Sequence, residues 1–459
     1  MEVSIILAAG QGKRMKSEKA KVLHEVLGRP MLFYVLNACQ ESNIEKNLVV
    51  IGNKKEQIKE AFEESEFLKF ISQPIGENAP YGTGFAVSCC LGEIGDEDNI
   101  IILNGDTPLI SSKTIDKFLN YHKSKNNDLT VLTADFCDPT NYGRIIRDGN
   151  ANVIKIVEEK DASEKEKLVR EINSGIFAFK GKSLKYAISK INSDNAQNEL
   201  YLTDTLNILV GENKKVGSYK LKDKREILGV NSKAELAQVS SILREIVNNE
   251  YMLKGVTLID PERTYIEYGA KIEEDVCIYP GSYIDKNSHI KKGAKIIDSK
   301  IFNSSVGENV KITDSYIEES IIEENTTVGP NAHLRPNSHV GKNCKVGNFV
   351  EIKNSNIGDG TKMSHLAYIG DADVGKNVNI GCGVIFVNYD GKKKYRSKVS
   401  DNAFIGSNSN LVAPVNVHEY GYIAAGSTIT KDVQKGQLSV ERSQQKNIDG
   451  WVSKKGFDK

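Results

Sequence analysis

Residues 7–15, LAAGQGKRM, directly follow the apolar run at residues 3–7. Glycines at 10 and 12 followed by Lys13 and Arg14 suit a loop that holds phosphate, because a residue without a Cβ lets backbone N–H groups close on an anion. Lys21, in KAKVLH, adds a third cation after the turn. Two familiar phosphate patterns are excluded. A dinucleotide loop needs glycine at position 15, where Met15 stands, and a Walker loop needs G-K-[ST], which does not follow. A tight strand-to-helix turn with exposed cations is the competing reading of these residues taken alone.

Asp106, closing NIIILNGD, and Asn231, in GVN, offer the hard oxygen donors that Mg²⁺ takes. Each by itself is equally a turn or capping residue. In the second half His365, in SHLAYIGD, is a candidate general base. An imidazole titrates near neutrality and can relieve an amine nucleophile of its proton, a service that contributes ~10²–10⁴ in rate. His333, His339 and His418 share no H-x₃-H spacing and read as structural.

Two different periodicities must position these groups. Residues 1–230 alternate apolar strand candidates (3–10, 47–52, 99–106 and 128–136) with helical patterns, which predicts an α/β domain with a mostly parallel, Rossmann-like sheet. Ligands on such sheets bind beyond the carboxyl ends of the strands, where LAAGQG and NGD fall. A helical arm is expected at 231–251, opened by a capping box of Ser232 and Glu235 and carrying an apolar stripe of Leu236, Val239, Leu243 and Ile246. From 252 to 459 a six-residue period takes over. Ile266, Ile272, Ile278, Ile284, Ile290 and Ile296 form one run; Ile322, Val328, Leu334, Val340, Val346 and Ile352 form a second; Val399, Ile405, Leu411, Val417, Ile423 and Ile429 form a third. This is the signature of a hexapeptide-repeat parallel β-helix. The phase breaks between Phe386 and Val399, where VNYDGKKKYRSK reads as an inserted loop, and periodicity fades after Val433.

The bulk numbers set limits. A chain of 459 residues predicts two or three domains. With 61 basic and 61 acidic residues the formal net charge is zero, which argues against general nucleic-acid or membrane affinity. Seven scattered cysteines without a CxxC pair read as reduced thiols, and no stretch approaches the ~20 apolar residues of a membrane span. A cytoplasmic protein with no nucleic-acid partner and no membrane insertion is expected.

The wider set of motifs resembles the sugar-1-phosphate nucleotidyltransferases: L-x-x-G-x-G-x-R-M, K-V-L-H, GTG at 82–84, GD at 105–106, YGR at 142–144, VEEKDA at 157–162, EINSGI at 171–176, YLTD at 201–204 and GVN at 229–231. Joined to a hexapeptide domain, the chain is similar end to end to the bifunctional bacterial family that acetylates glucosamine-1-phosphate and uridylates the product. The resemblance implies that Leu7, Ala8 and Gly10 hold uracil and ribose, with Gln73, Gly82 and Thr83 reading the base. It implies that Arg14 and Lys21 neutralise the triphosphate of UTP. Asp106 and Asn231 would carry Mg²⁺, and Gly143, Glu158 and Asn173 would bind the sugar.

In the second half it implies His365 as base, Arg335 and Lys353 gripping the sugar phosphate near Tyr368, and Asn379, Asn388 and Tyr389 positioning sugar and acetyl group. Lys394 would close over the phosphate from the inserted loop, and Ser407, Ala425 and Arg442 would meet acetyl-CoA. The left hand of the β-helix and a homotrimer with acetyl-transfer sites between subunits are also implied. Lys13 stands where this family usually has threonine, Tyr81 and Phe85 replace its leucine and histidine, and the Gln73–Gly82 interval is about four residues longer. Two competing functions are a nucleotidyltransferase whose β-helix serves only oligomerisation, and a non-catalytic sugar-nucleotide sensor.

Overall fold

The computed structural model describes residues 1–76 and 79–457. The chain forms two compact units, Met1–Leu243 and Arg244–Lys459.

In the first unit Glu25–Val26 pairs with Arg29–Pro30 in a separate hairpin, and the main sheet has the order Val216–Lys220, Leu129–Asp135, Glu171–Lys180, Asn99–Asn104, Glu2–Leu7, Lys46–Ile51, Leu68–Ser72. All neighbours are parallel except Glu171–Lys180, which runs against both of its own. A ribbon of Arg144–Arg147 and Val153–Val157 extends from that antiparallel strand. The central strands Glu2–Leu7 and Asn99–Asn104 are almost wholly buried, as expected where helices cover both faces. They end level, with Leu7 opposite both Val50 and Asn104. The strands stop earlier than the apolar runs suggested: residues 8–10 and 105–106 are loop. The N–H of Gly105 turns to donate to the Leu7 carbonyl at 2.9 Å, which ends the ladder and throws both loops over the sheet edge.

The arm helix is Lys233–Leu253, displaced by two residues from the expected 231–251. The Ser232 hydroxyl accepts from the Glu235 N–H at 3.3 Å, but the Glu235 carboxylate takes the N–H of Asn231 at 2.6 Å. The return bond thus reaches one residue beyond the capping-box pattern and ties Asn231 to the helix start. Val239, Leu243 and Val247 are its buried stripe, with Leu236 and Ile246 half-buried.

The second unit is a parallel β-helix. Its short strands stack in register from coil to coil, as in Ile278↔Ile296 and Ile301↔Ile317, and the aliphatic positions form one continuous core. Between Ile296 and Ile322 the inward residues are Ile301, Val306, Ile312 and Ile317, so several steps are five residues rather than six. Those shortened corners hold Asp298, Asn303, Asp314 and Glu319 at positive φ, a conformation that short polar side chains tolerate better than most. Buried serines bridge coils: the N–H of Ser315 donates to Ser299 Oγ at 3.1 Å, and that of Ser320 to Ser304 Oγ at 3.0 Å. The phase break is an ordered hairpin, with Tyr389 bridged to Lys394 and Asp390 Oδ1 accepting the N–H groups of Lys392 and Lys393, each at 2.7 Å. All seven cysteines are free thiols, and among the described residues no helix is long and apolar enough to cross a membrane.

Leu334 is fully buried between Ile317 and Ile352 of the adjacent coils. Leu334→Ala should destabilise the β-helix by about 2–5 kcal/mol through lost burial and the cavity left behind. The check is a lower denaturant midpoint for that unit, with exposed Lys345→Ala as the near-neutral control.

Candidate active sites

Beyond the level strand ends of the first unit lies a cavity of about 250 Å³. Leu7, Ala8, Gly10, Lys21, Gln73, Gly82, Thr83 and Asp106 all line it, eight residues that the sequence motifs single out. Gly12 stands at φ +63°, and a Cβ there would lie 2.9 Å from Lys21 Cβ, so this glycine lets the loop and Lys21 approach. Lys21 Nζ forms an ion pair with Asp106 and donates to Asn231 Oδ1 at 2.6 Å. Asp106 and Asn231 are further joined through the backbone, where the N–H of Val230 donates to the Asp106 carbonyl at 3.0 Å. Two hard oxygen donors therefore converge on one cation, the Lys21 ammonium. The donor set fits Mg²⁺, which keeps waters and takes few protein ligands. Arg14 is on the short 3₁₀ turn Lys13–Met15, exposed and outside the cavity lining.

The GTG segment is held by residues 200–202. The N–H of Gly84 donates to the Leu200 carbonyl at 2.8 Å, that of Leu200 to Tyr81 at 2.8 Å, and that of Leu202 to Thr83 Oγ1 at 3.1 Å. Gly82, at φ +121°, has no room for a Cβ, which would fall 2.4 Å from the Leu200 oxygen. Of the lengthened interval, Glu77 and Asn78 lie outside the described residues. Gly143, Glu158 and Asn173 also converge: the Asn173 N–H donates to the Gly143 carbonyl at 2.8 Å, and a Cβ on Gly143 would lie 3.4 Å from a Glu158 carboxylate oxygen. Burial pushes the Glu158 carboxyl above its ordinary value, with the Thr203 hydroxyl, bonded at 3.1 Å, opposing.

Glu199 and Asn104 also line the cavity, and the motifs did not point to them. Burial raises the Glu199 carboxyl, and burial together with Glu199 raises the Tyr81 phenol. Glu199 was findable two positions before YLTD.

In the β-helix, His365 is exposed and its Nδ1 lies 3.1 Å from Asn348 Oδ1. An amide oxygen only accepts, so this bond places the proton on Nδ1 and leaves the Nε2 lone pair to act as base. Asn348 is register-paired with His365 one coil earlier, which counting coils along the sequence would have revealed. The next residues in each coil, Phe349 and Leu366, are more than half exposed and sit at φ +57° and +24°, where large apolar side chains are rare. Such outliers cluster at functional sites.

A second group gathers on the neighbouring columns. Arg335 Nη1 donates to Glu351 at 2.8 Å, and Glu351 is register-paired with Tyr368. Asn388 Nδ2 lies 3.4 Å from Tyr368 Oη. The ammonium of Lys353 beside Lys394 holds Lys394 below its ordinary value. The Tyr389 hydroxyl turns back to the Gly391 carbonyl at 2.7 Å within the hairpin.

Ser407, Ala425 and Arg442 lie along one corner: Arg442 Nη1 donates to the Ala425 carbonyl at 3.0 Å, and the N–H of Gly426 donates to the Ser407 carbonyl at 2.8 Å. Asn379 is half-buried on the strand that leads to that corner. The hydrogen bond of His365 goes to Asn348 and not to either group.

The Nucleotidyl transferase family model matches residues 3–238, and the GMPPB C-terminal domain model matches residues 316–389. The bifunctional protein GlmU of Clostridioides difficile (strain 630) is 48% identical over 453 residues, covering 98% of this chain and 97% of that protein. GlmU of Alkaliphilus metalliredigens (strain QYMF) is 46% identical over 457 residues, with 99% of each covered. This chain belongs to the GlmU family. It is a bifunctional enzyme of UDP-N-acetylglucosamine synthesis, carrying acetyl transfer to glucosamine-1-phosphate and uridyl transfer to the acetylated product. A nucleotidyltransferase sheet followed by a left-handed hexapeptide β-helix is the GlmU architecture, and neither the oligomerisation-only nor the sensor reading is favoured.

Gly82→Ala should force the GTG segment off Leu200 and misplace the wall of the cavity. A loss on the order of 10- to 100-fold in kcat/KM for UTP is expected. Pyrophosphate release reads it, and CoA release by the same protein should stay unchanged.

Proposed function

We propose that each reaction is carried by one of the residue groups above: uridyl transfer by residues 1–230 and acetyl transfer by 252–459, joined by the arm at 231–251. In uridyl transfer the phosphate oxygen of N-acetylglucosamine-1-phosphate attacks the α-phosphorus of UTP in line, and pyrophosphate leaves. The attacking oxygen is already charged, so no general base is needed, and positioning with charge neutralisation is the protein's task. Asp106 and Asn231 would hold Mg²⁺, which when bound neutralises charge on the triphosphate. Lys21, released from them, and Arg14 neutralise the remainder. Leu7, Ala8, Gly10, Gln73, Gly82 and Thr83 receive the nucleotide, and Gly143, Glu158 and Asn173 receive the sugar.

In acetyl transfer, His365 Nε2 takes the proton from the 2-amino group of glucosamine-1-phosphate as nitrogen attacks the thioester carbon of acetyl-CoA; the C–S bond then breaks, and CoA leaves as the thiol with that proton. Arg335, Lys353 and Lys394 bind the phosphate; Tyr368, Asn379, Asn388 and Tyr389 place sugar and acetyl group; Ser407, Ala425 and Arg442 receive the coenzyme. The observation that carries this reading is the His365–Asn348 bond, which fixes the tautomer a base requires. We further propose, from the resemblance to the family, a homotrimer working in the cytoplasm in which a second copy completes each acetyl-transfer site.

His365→Ala should lower acetyl transfer by about 10²–10⁴ and leave uridyl transfer within a few-fold, while Asp106→Ala should do the reverse. Following CoA and pyrophosphate separately distinguishes them, and equal loss of both in either variant would refute two independent sites. Asn348→Ala should retain the base but free its ring, lowering kcat for acetyl transfer about tenfold, a part of what the base contributes. Light scattering should give three chain masses.

A further inference from the structure

Asp371, in YIGD, has no part in the chemistry so far, yet its carboxylate is buried at the root of the inserted hairpin. Oδ1 accepts from Asn354 Nδ2 and Oδ2 from Asn388 Nδ2, each at 2.5 Å. Its backbone joins the coils on either side of the insertion. The Asp371 N–H donates to the Lys353 carbonyl at 3.0 Å, and the Asp371 carbonyl accepts from the Ser397 N–H at 3.1 Å. The residue stands at φ +51°. It therefore touches the strand end bearing Lys353, the first residue of the insertion-bearing segment, and the point where the coil resumes.

A carboxylate can only accept hydrogen bonds, so it decides which end of a neighbouring amide faces it. Asn388 is itself buried and must turn its NH₂ toward Asp371, the same nitrogen that lies near Tyr368 Oη. The oxygen end of the amide is then left for a donor. We propose that Asp371 is a positioning residue for acetyl transfer. By holding the NH₂ end of Asn388, it presents the amide oxygen to a donor of glucosamine-1-phosphate, an amine or a hydroxyl. The proposal rests on the placement of Asn388 in the sugar site.

Its charge serves the same end. Asp371 opposes the effect of Lys353 on Lys394 and also bears on Arg396, so one buried carboxylate offsets the cations gathered at the hairpin root. Two neutral amides, rather than a cation, occupy its oxygens.

The test uses the full chain with Asp371→Asn, Asn388→Ala and the double variant, measuring KM and kcat for glucosamine-1-phosphate and for acetyl-CoA by CoA release. Asp371→Asn, whose amide no longer dictates the Asn388 orientation, should raise KM for glucosamine-1-phosphate about tenfold, the size of one lost hydrogen bond. KM for acetyl-CoA should stay within twofold, and the double variant should be no worse than Asn388→Ala alone. Unchanged KM for the sugar phosphate, or a parallel rise in both KM values with a lower melting temperature, would overturn the proposal. Should Asp371→Asn fail to fold, Asn388→Asp tests the contact from the other side, since two carboxylates cannot share it, and the same rise in sugar KM is expected. A silent Asn388→Ala removes Asn388 from the sugar site and the proposal with it. A silent Asp371→Asn beside a damaging Asn388→Ala overturns the positioning role alone.

Discussion

The stacking of one inward aliphatic side chain on the one below it is the constraint on which the second unit depends. Each fully buried Val, Leu or Ile contributes about 1.5–3 kcal/mol, whereas exposed ion pairs such as Lys292–Glu274 and Lys435–Glu419 are screened by solvent and cannot set the coil. The core therefore decides the coil length, and everything outside it is carried along. Asn348 meets His365, and Glu351 meets Tyr368, only because Val350, Ala367 and Val384 occupy successive levels of the same column. A coil out of phase would bury the polar partner and expose the aliphatic one. The insertion is tolerated for the same reason: it leaves after buried Phe386 and returns by buried Val399, so the stack above it is undisturbed.

In the first unit the equivalent constraint is a backbone one. A parallel ladder must satisfy its carbonyls along its length, and where two central strands stop at the same level the chain has to turn over the edge. That turn gathers Ala8–Gly10, Gly105 and Asp106 at one place, and the hydrogen bond from Gly105 to Leu7 locks two loops distant in sequence. Lys21 is then drawn in by charge. Between Asp106 and Asn231 it offsets a carboxylate that would otherwise face an amide oxygen alone. In the first unit the candidate groups thus sit on loops held by a rigid sheet, whereas in the β-helix His365, Tyr368 and Lys353 sit on the strands themselves.

The two architectures were legible to very different depths. Periodicity at six residues is a direct image of coil length, so the β-helix and its inserted loop followed from Ile266, Ile272 and their successors. The five-residue steps between Ile296 and Ile322 fell outside the six-residue runs, and only the structure shows that Ile301, Val306, Ile312 and Ile317 carry the core across them. Arg14 was assigned beside Lys21 by motif, yet the 3₁₀ turn leaves it exposed outside the cavity. The capping pattern at Ser232 was read as a local pair, and the structure spends its carboxylate on Asn231 instead.

What the sequence by itself determined was the family, the two-part architecture and the periods that build it, since these rest on residue type and spacing within a few turns of chain. What only the tertiary structure decided was contact between distant residues. The Asn348 bond that sets the His365 tautomer, the Leu200 clamp on Gly82, and the grip of Asp371 on Asn354 and Asn388 belong to this second set. Each joins residues separated by a whole coil or by more than a hundred positions. Hydrogen bonds of that kind depend on distances of a few tenths of an ångström, and the chain acquires those only when its core has fixed where every coil and strand end must lie.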